Sequence, residues 1–220
     1  GAVTQQESAM TNVYLSSNSS AGTNITLAAG QDAFIGANVN RASQNDYGIS
    51  ALFSGHAIEV QGHVFGDDGG IVLGAVATFV GSRINVGLNG SVTGRVIGIE
   101  TLGNTISISN AGQISANDAL VHSGGAYYVS NSGNITGTYG HGIDADATSG
   151  EIVNTGTITS SYIGYGIVFF CNELGKGLAG IFVVMGYGDV QVIFDGLELA
   201  GPVSPHRGAV VANRIVTRRC

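Results

Sequence analysis

Three segments of this chain align without gaps: Ile108-Ser-Asn-Ala-Gly-Gln-Ile114-Ser, Val129-Ser-Asn-Ser-Gly-Asn-Ile135-Thr and Ile152-Val-Asn-Thr-Gly-Thr-Ile158-Thr. They share the pattern [Ile/Val]-x-Asn-x-Gly-x-Ile-[Ser/Thr]. Two looser copies precede them, Val86-Gly-Leu-Asn-Gly-Ser-Val92-Thr and Val60-Gln-Gly-His-Val64-Phe. The aligned glycines Gly62, Gly90, Gly112, Gly133 and Gly156 are spaced by 28, 22, 21 and 23 residues. A second set, Ile99, Val121, Ile143 and Ile167, follows at intervals of 22, 22 and 24. A unit of this size is two or three short strands joined by turns. It cannot bury its apolar face alone, so copies must stack on one another.

Within each unit apolar and polar residues alternate. Ile106, Ile108 and Ile114 fall on one face and Ser107, Ser109 and Ser115 on the other. A helix would need apolar residues at i, i+3, i+4 and i+7, which this pattern does not supply. Parallel stacking at about 4.8 Å sets like over like. Ile114, Ile135 and Ile158 then form an inward ladder, and Asn110, Asn131 and Asn154 a ladder of side-chain amides. Gly112, Gly133 and Gly156 mark the turn, and the expected reason for glycine there is φ > 0. A β-sandwich with hairpins every 8–12 residues would explain the strands but not copies in register at about 22 residues. The expected class is all-β, a parallel β-solenoid.

The run N-A-G-Q-I-S, N-S-G-N-I-T, N-T-G-T-I-T, followed by Gly142-Ile143-Asp144-Ala145, resembles the repeats of bacterial autotransporter passengers and related secreted adhesins. The resemblance covers roughly residues 47–167. It implies a right-handed parallel β-helix, secreted or held at the bacterial cell surface. It is specific for fold and carries little about ligand. The chain departs from such proteins in two ways. It ends in Arg219-Cys220 rather than in a membrane barrel, as a fragment, a secreted or shed form, or another protein on the same fold would, and the repeat fades after Ile167. The expected organisation is an N-terminal cap with first irregular rungs (1–46), the repeat helix (47–167), and degenerate C-terminal rungs with a basic tail (168–220). Residues 11–30 read as a first rung and 190–199 as a final irregular one.

Composition narrows the partners. Charged residues make up 10% of the chain, against roughly 25% in an average soluble domain, so uncharged Ser, Thr and Asn must provide solubility. A net charge of −7 argues against nucleic acid, and four of the eight basic residues (Arg207, Arg214, Arg218 and Arg219) crowd the C-terminus. The 36 glycines accompany 44% hydrophobic residues, which favours tight turns between strands over a disordered linker. Cys171 and Cys220 could pair, but two cysteines make no disulfide framework. The longest apolar runs, 71–80 and 180–185, fall short of the roughly 20 residues of a membrane helix.

No residue is expected to be catalytic, to bind a metal or to hold a cofactor. Asp67, Asp68, Asp144 and Asp146 lack a neighbouring cation or a second tuned acid. His56, His63, His122, His141 and His206 share no metal-ligand spacing. His63 aligns with Ser91, Gln113, Asn134 and Thr157, which makes it an outward residue. The loop five and six residues past each repeat glycine aligns Asp67/Asp68, Arg95, Asn117/Asp118, Thr138/Tyr139 and Ser161/Tyr162. Stacking would set Arg95 between two acidic rungs and Tyr139 over Tyr162. Asp118, Tyr139 and Tyr162 form the candidate ligand strip, because tyrosine offers an apolar ring and a hydroxyl to a sugar. The expected role is a structural or adhesive surface module whose partner is a host or environmental glycan or a protein receptor. A carbohydrate-active β-helix enzyme is the alternative. An ice-binding solenoid is the third reading, from the pairs Ser91/Thr93, Asn134/Thr136 and Thr157/Thr159.

Overall fold

A computed structural model describes residues 10–53, 55–74, 81–161, 166–171, 179–184, 191–193, 197–200, 209–210 and 214–217; within these segments side chains are described from 11 to 168, apart from 104 and 148. Among the described residues every regular element is a β-strand, and the strands up to Cys171 stack in parallel as a solenoid of about 6 turns. Each turn has three faces. The first face holds Met10–Tyr14, Gln31–Ile35, Ala57–Val60 and Ser82–Val86, then the second halves of the long strands Ile97–Asn110, Asp118–Asn131 and Ile143–Asn154. The second face holds Asn18–Ser20, Asn40–Ser43, His63–Gly66, Ser91–Gly94, Gln113–Ala116, Asn134–Gly137 and Thr157–Ser160. The third holds Ile25–Leu27, Ile49–Ala51, Gly69–Leu73, the first halves of the long strands, and Ile167–Cys171.

The register follows from alternation, because a slip of one residue would turn every isoleucine into solvent. On the second face Val64, Val92, Ile114, Ile135 and Ile158 lie one over the next. On the first face Ile84, Ile108, Val129 and Ile152 do the same. All of these are at most 2% exposed. The third-face column is Ile49, Ile71, Ile99, Leu120, Ile143 and Ile167, with Leu120 where the sequence reading had placed Val121. Val121 lies instead over Glu100 on the outer side. The cause is a short turn: Leu120 follows Ile114 by six residues, whereas Ile99 follows Val92 by seven and Ile143 follows Ile135 by eight. A fixed spacing of 22 cannot detect a turn that loses one residue.

The long strands bend around the corner between the third and first faces without breaking their ladders. Gly103 and Gly124, paired with each other, sit at that bend with φ of 151° and 141°, where a side chain would be strained.

The repeat glycines have a different reason from the one expected. Gly112, Gly133 and Gly156 do not have positive φ. A Cβ on Gly112 would overlap the carbonyl oxygen of Gly90, one on Gly133 that of Gly112, and one on Gly156 that of Gly133. Glycine is required because successive turns approach backbone to backbone.

Among the described residues the parallel stack is already in place from Met10, and residues 10–46 contain rungs on all three faces. The other end departs from expectation. Ala179–Val184 pairs antiparallel with Ile167–Cys171, Ala209–Val210 with Thr157–Ser160, and Arg214–Thr217 with the first-face part of Ile143–Asn154. Gln191–Ile193 and Leu197–Ala200 are antiparallel too, so 190–199 does not continue the rungs. Each face at this end receives a reversed strand, which covers an edge that could otherwise template further parallel pairing.

Candidate functional site: a groove floored by glycine

The close approach of the turns shapes the outer surface. Gly90, Gly112, Gly133 and Gly156 line a groove of about 710 Å³ at the corner between the first and second faces. One wall is the outward column His63, Ser91, Gln113, Asn134 and Thr157, in register rung by rung. The other is built from the turn residues Leu88, Asn89, Ala111 and Ser132. Five rungs at about 4.8 Å make a track on the order of 19 Å long, parallel to the solenoid axis. His63 Nδ1 meets Ser91 Oγ at 2.7 Å, so the wall is itself hydrogen-bonded at one end. No lysine, arginine or carboxylate lines the groove among the described residues. Its walls offer hydroxyl and amide donors and acceptors, spaced by one rung, to an extended uncharged partner.

The groove is held in place from inside. Asn110 Nδ2 donates to Asn131 Oδ1 at 2.7 Å, and Asn131 Nδ2 donates to Asn154 Oδ1 at 2.7 Å. The same amides donate to the turn carbonyls: Asn110 to Gly112 and Asn134, Asn131 to Gly133 and Thr157, and Asn154 to Gly156. All three asparagines are 1% exposed. This ladder ties the glycine turns together across rungs and so fixes the groove floor. Ile114, Ile135 and Ile158 lie directly inside the wall of Gln113, Asn134 and Thr157, fully buried.

Of the expected ligand strip, Asp118 and Tyr139 are described. Tyr162 lies outside the described residues, and so does its stacking on Tyr139. Tyr139 itself is 58% exposed. Asp118 stacks over Ile97, and its Oδ1 accepts the backbone N–H of His141 at 2.6 Å. Its carboxylate also lies against Gly140, where a Cβ would overlap it. Asp118 therefore braces the next turn. Arg95 does not stand between two acidic rungs: it makes a two-pronged bond to Asp67 (2.8 and 3.1 Å), while Asn117 follows it in the stack. The Arg95 guanidinium lowers the Asp67 pKa, and this exposed pair is worth little to stability. Neither Cys220 nor the Cys171 side chain is described, so the proposed pairing lies outside the described residues.

Two further candidate carboxylates, Asp144 and Asp146, fall on the third face. Asp144 and Asp146 point outward from one strand, their Cα atoms about 6.6 Å apart from strand geometry. Burial raises the Asp144 pKa; His141 opposes the shift, and Asp118 and Asp146 add to it. On the second face the hydroxyl column Thr93, Ser115, Thr136 and Thr159 starts from Phe65, which is 41% exposed.

Reading the sequence missed the groove because glycine was assigned to turn geometry alone. The signal was present in the column that aligned His63 with Thr157 beside an unbroken column of glycines. No protein-family model matches the chain, and neither does any curated protein or any solved structure.

Proposed function

We propose that this chain is a structural and adhesive surface module of an exported protein, and that its contact surface is the glycine-floored groove. The observation that carries this reading is the groove itself: a continuous track across five rungs, uncharged, walled by Ser91, Gln113, Asn134 and Thr157 and braced by the buried asparagine ladder. A rigid track of evenly spaced neutral hydrogen-bonding groups suits an extended uncharged polymer, with a neutral glycan chain as the partner class. Outward serine, threonine and asparagine leave the surface soluble at low charge, which suits a rod displayed outside the cell. The autotransporter-like repeat supports the same placement, by resemblance. The test is a polysaccharide and glycan array probed with the wild type and with a Gln113→Ala/Asn134→Ala variant of unchanged melting temperature. Binding of a neutral glycan by the wild type, weakened at least tenfold in the variant, is expected. Equal binding by both, or none by either, removes the groove from the proposal.

One observation favours a second reading, a glycan-cleaving enzyme. Asp144 is a half-buried carboxyl with a raised pKa beside two further acids, as a general acid would be. Release of reducing ends from a polysaccharide panel, abolished by Asp144→Asn, would establish it.

A further inference from the structure

Most of the interior is hydrocarbon, but the corner between the third and first faces is polar. Thr101, His122 and Tyr127 meet there, at 0%, 2% and 0% exposure. His122 and Tyr127 belong to one strand, on either side of the Gly124 bend. Their rings stack with centroids 4.7 Å apart and planes 14° from parallel. Thr101, directly beneath His122 in register, meets its Nδ1 through Oγ1 at 2.9 Å. Two polar atoms remain without a protein partner, His122 Nε2 and Tyr127 Oη. Leaving two such atoms dry in one place is costly, and native interiors avoid it.

His122 stacks beneath Ala145 and Tyr127 beneath Gly150, so both columns shrink to the smallest residues just past the two rings. Burial keeps the imidazole neutral, and the nearby backbone of Gly125 and Thr101 offsets this only in part. Water fits this chemistry. It is small, it both donates and accepts, and it serves either imidazole tautomer beside a phenol. A buried water needs two to four polar partners and a share of volume of about 30 Å³.

We infer that the corner of the solenoid between His122 and Tyr127 is a binding site for one buried water, held between Nε2 and Oη. The site is distinct from the groove and independent of its function. It accounts for a histidine and a tyrosine in columns that elsewhere hold Leu73 and Ile106.

The sign of one substitution tests it. Tyr127→Phe removes only the hydroxyl. If that hydroxyl is dry, its removal relieves a desolvation cost and the melting temperature rises. If it holds a water, its removal strands that water and His122, and the melting temperature falls. The expected result is a fall of about 2–5 °C, the scale for a domain of this size. An unchanged or raised value overturns the site. Should the variant not melt cooperatively, magnetic relaxation dispersion of water on the wild type decides the matter. A long-lived internal water, lost in Tyr127→Phe/His122→Leu, supports the site, and no long-lived water in the wild type refutes it.

Discussion

The asparagine ladder is polar from end to end, and its two amide-to-amide donors, Asn110 and Asn131, should differ in what they contribute. Asn131 sits in the middle. Its Oδ1 accepts from Asn110, and its Nδ2 donates to Asn154 Oδ1, Gly133 O and Thr157 O. Replacing it with alanine removes two short amide–amide bonds, worth about 1 kcal/mol each, and leaves the buried Asn154 Oδ1 without its 2.7 Å donor, at a further cost of about 1–3 kcal/mol. The total is about 3–5 kcal/mol, a large share of the roughly 5–15 kcal/mol that holds a typical domain together. Asn110 sits at the end. The rung before it carries Val86, and Asn110 Oδ1 already has no partner. Asn110→Ala breaks one short bond and orphans Asn131 Oδ1, but it also deletes an orphaned oxygen, which offsets part of the loss. It should cost about 1–2 kcal/mol less than Asn131→Ala. Urea unfolding followed by circular dichroism measures both, since the midpoint moves in proportion to stability. Equal losses, or a larger loss for Asn110→Ala, would refute the idea that the ladder's worth lies in its linked amides.

Three further outcomes follow from the same geometry. Ile135→Asp places an unpaired charge in the core and should cost several kcal/mol, whereas Thr136→Asp, on the outer side of the same strand, should cost little; equal melting temperatures would contradict the register. Gly133→Ala, although compatible with its φ, drives a Cβ into the backbone of the turn below and should lower the melting temperature by about 5 °C or more, whereas Gly30→Ala, strained in φ but in open space, should do less harm. Burial pulls the His122 pKa down to about 4 from 6.5, so the unfolded chain takes up a proton that the folded chain refuses: stability is complete above about pH 6.5 and falls toward pH 4, by up to about 3 kcal/mol, and a His122→Gln variant measured alongside should lack that part of the slope.

The repeat by itself determined the architecture. Apolar residues at every second position cannot all be buried unless the strands stack, and a period near 22 allows stacking only as parallel rungs, so the columns around Ile114, Ile135 and Ile158 and the asparagine ladder could be read before any coordinate was known. Tertiary structure decided whatever depends on contact between rungs rather than on spacing along them. One lost residue in a turn moved Leu120 into the column expected for Val121. The repeat glycines proved to be set by the carbonyl of the turn beneath, a neighbour about 22 residues away that φ preferences cannot reveal, and those close-packed turns line the groove. The reversal of the C-terminal strands, the bracing role of Asp118 and the meeting of Thr101, His122 and Tyr127 at one corner were likewise settled in space. Periodicity reports which face a residue occupies, but not which residues of neighbouring rungs it meets there.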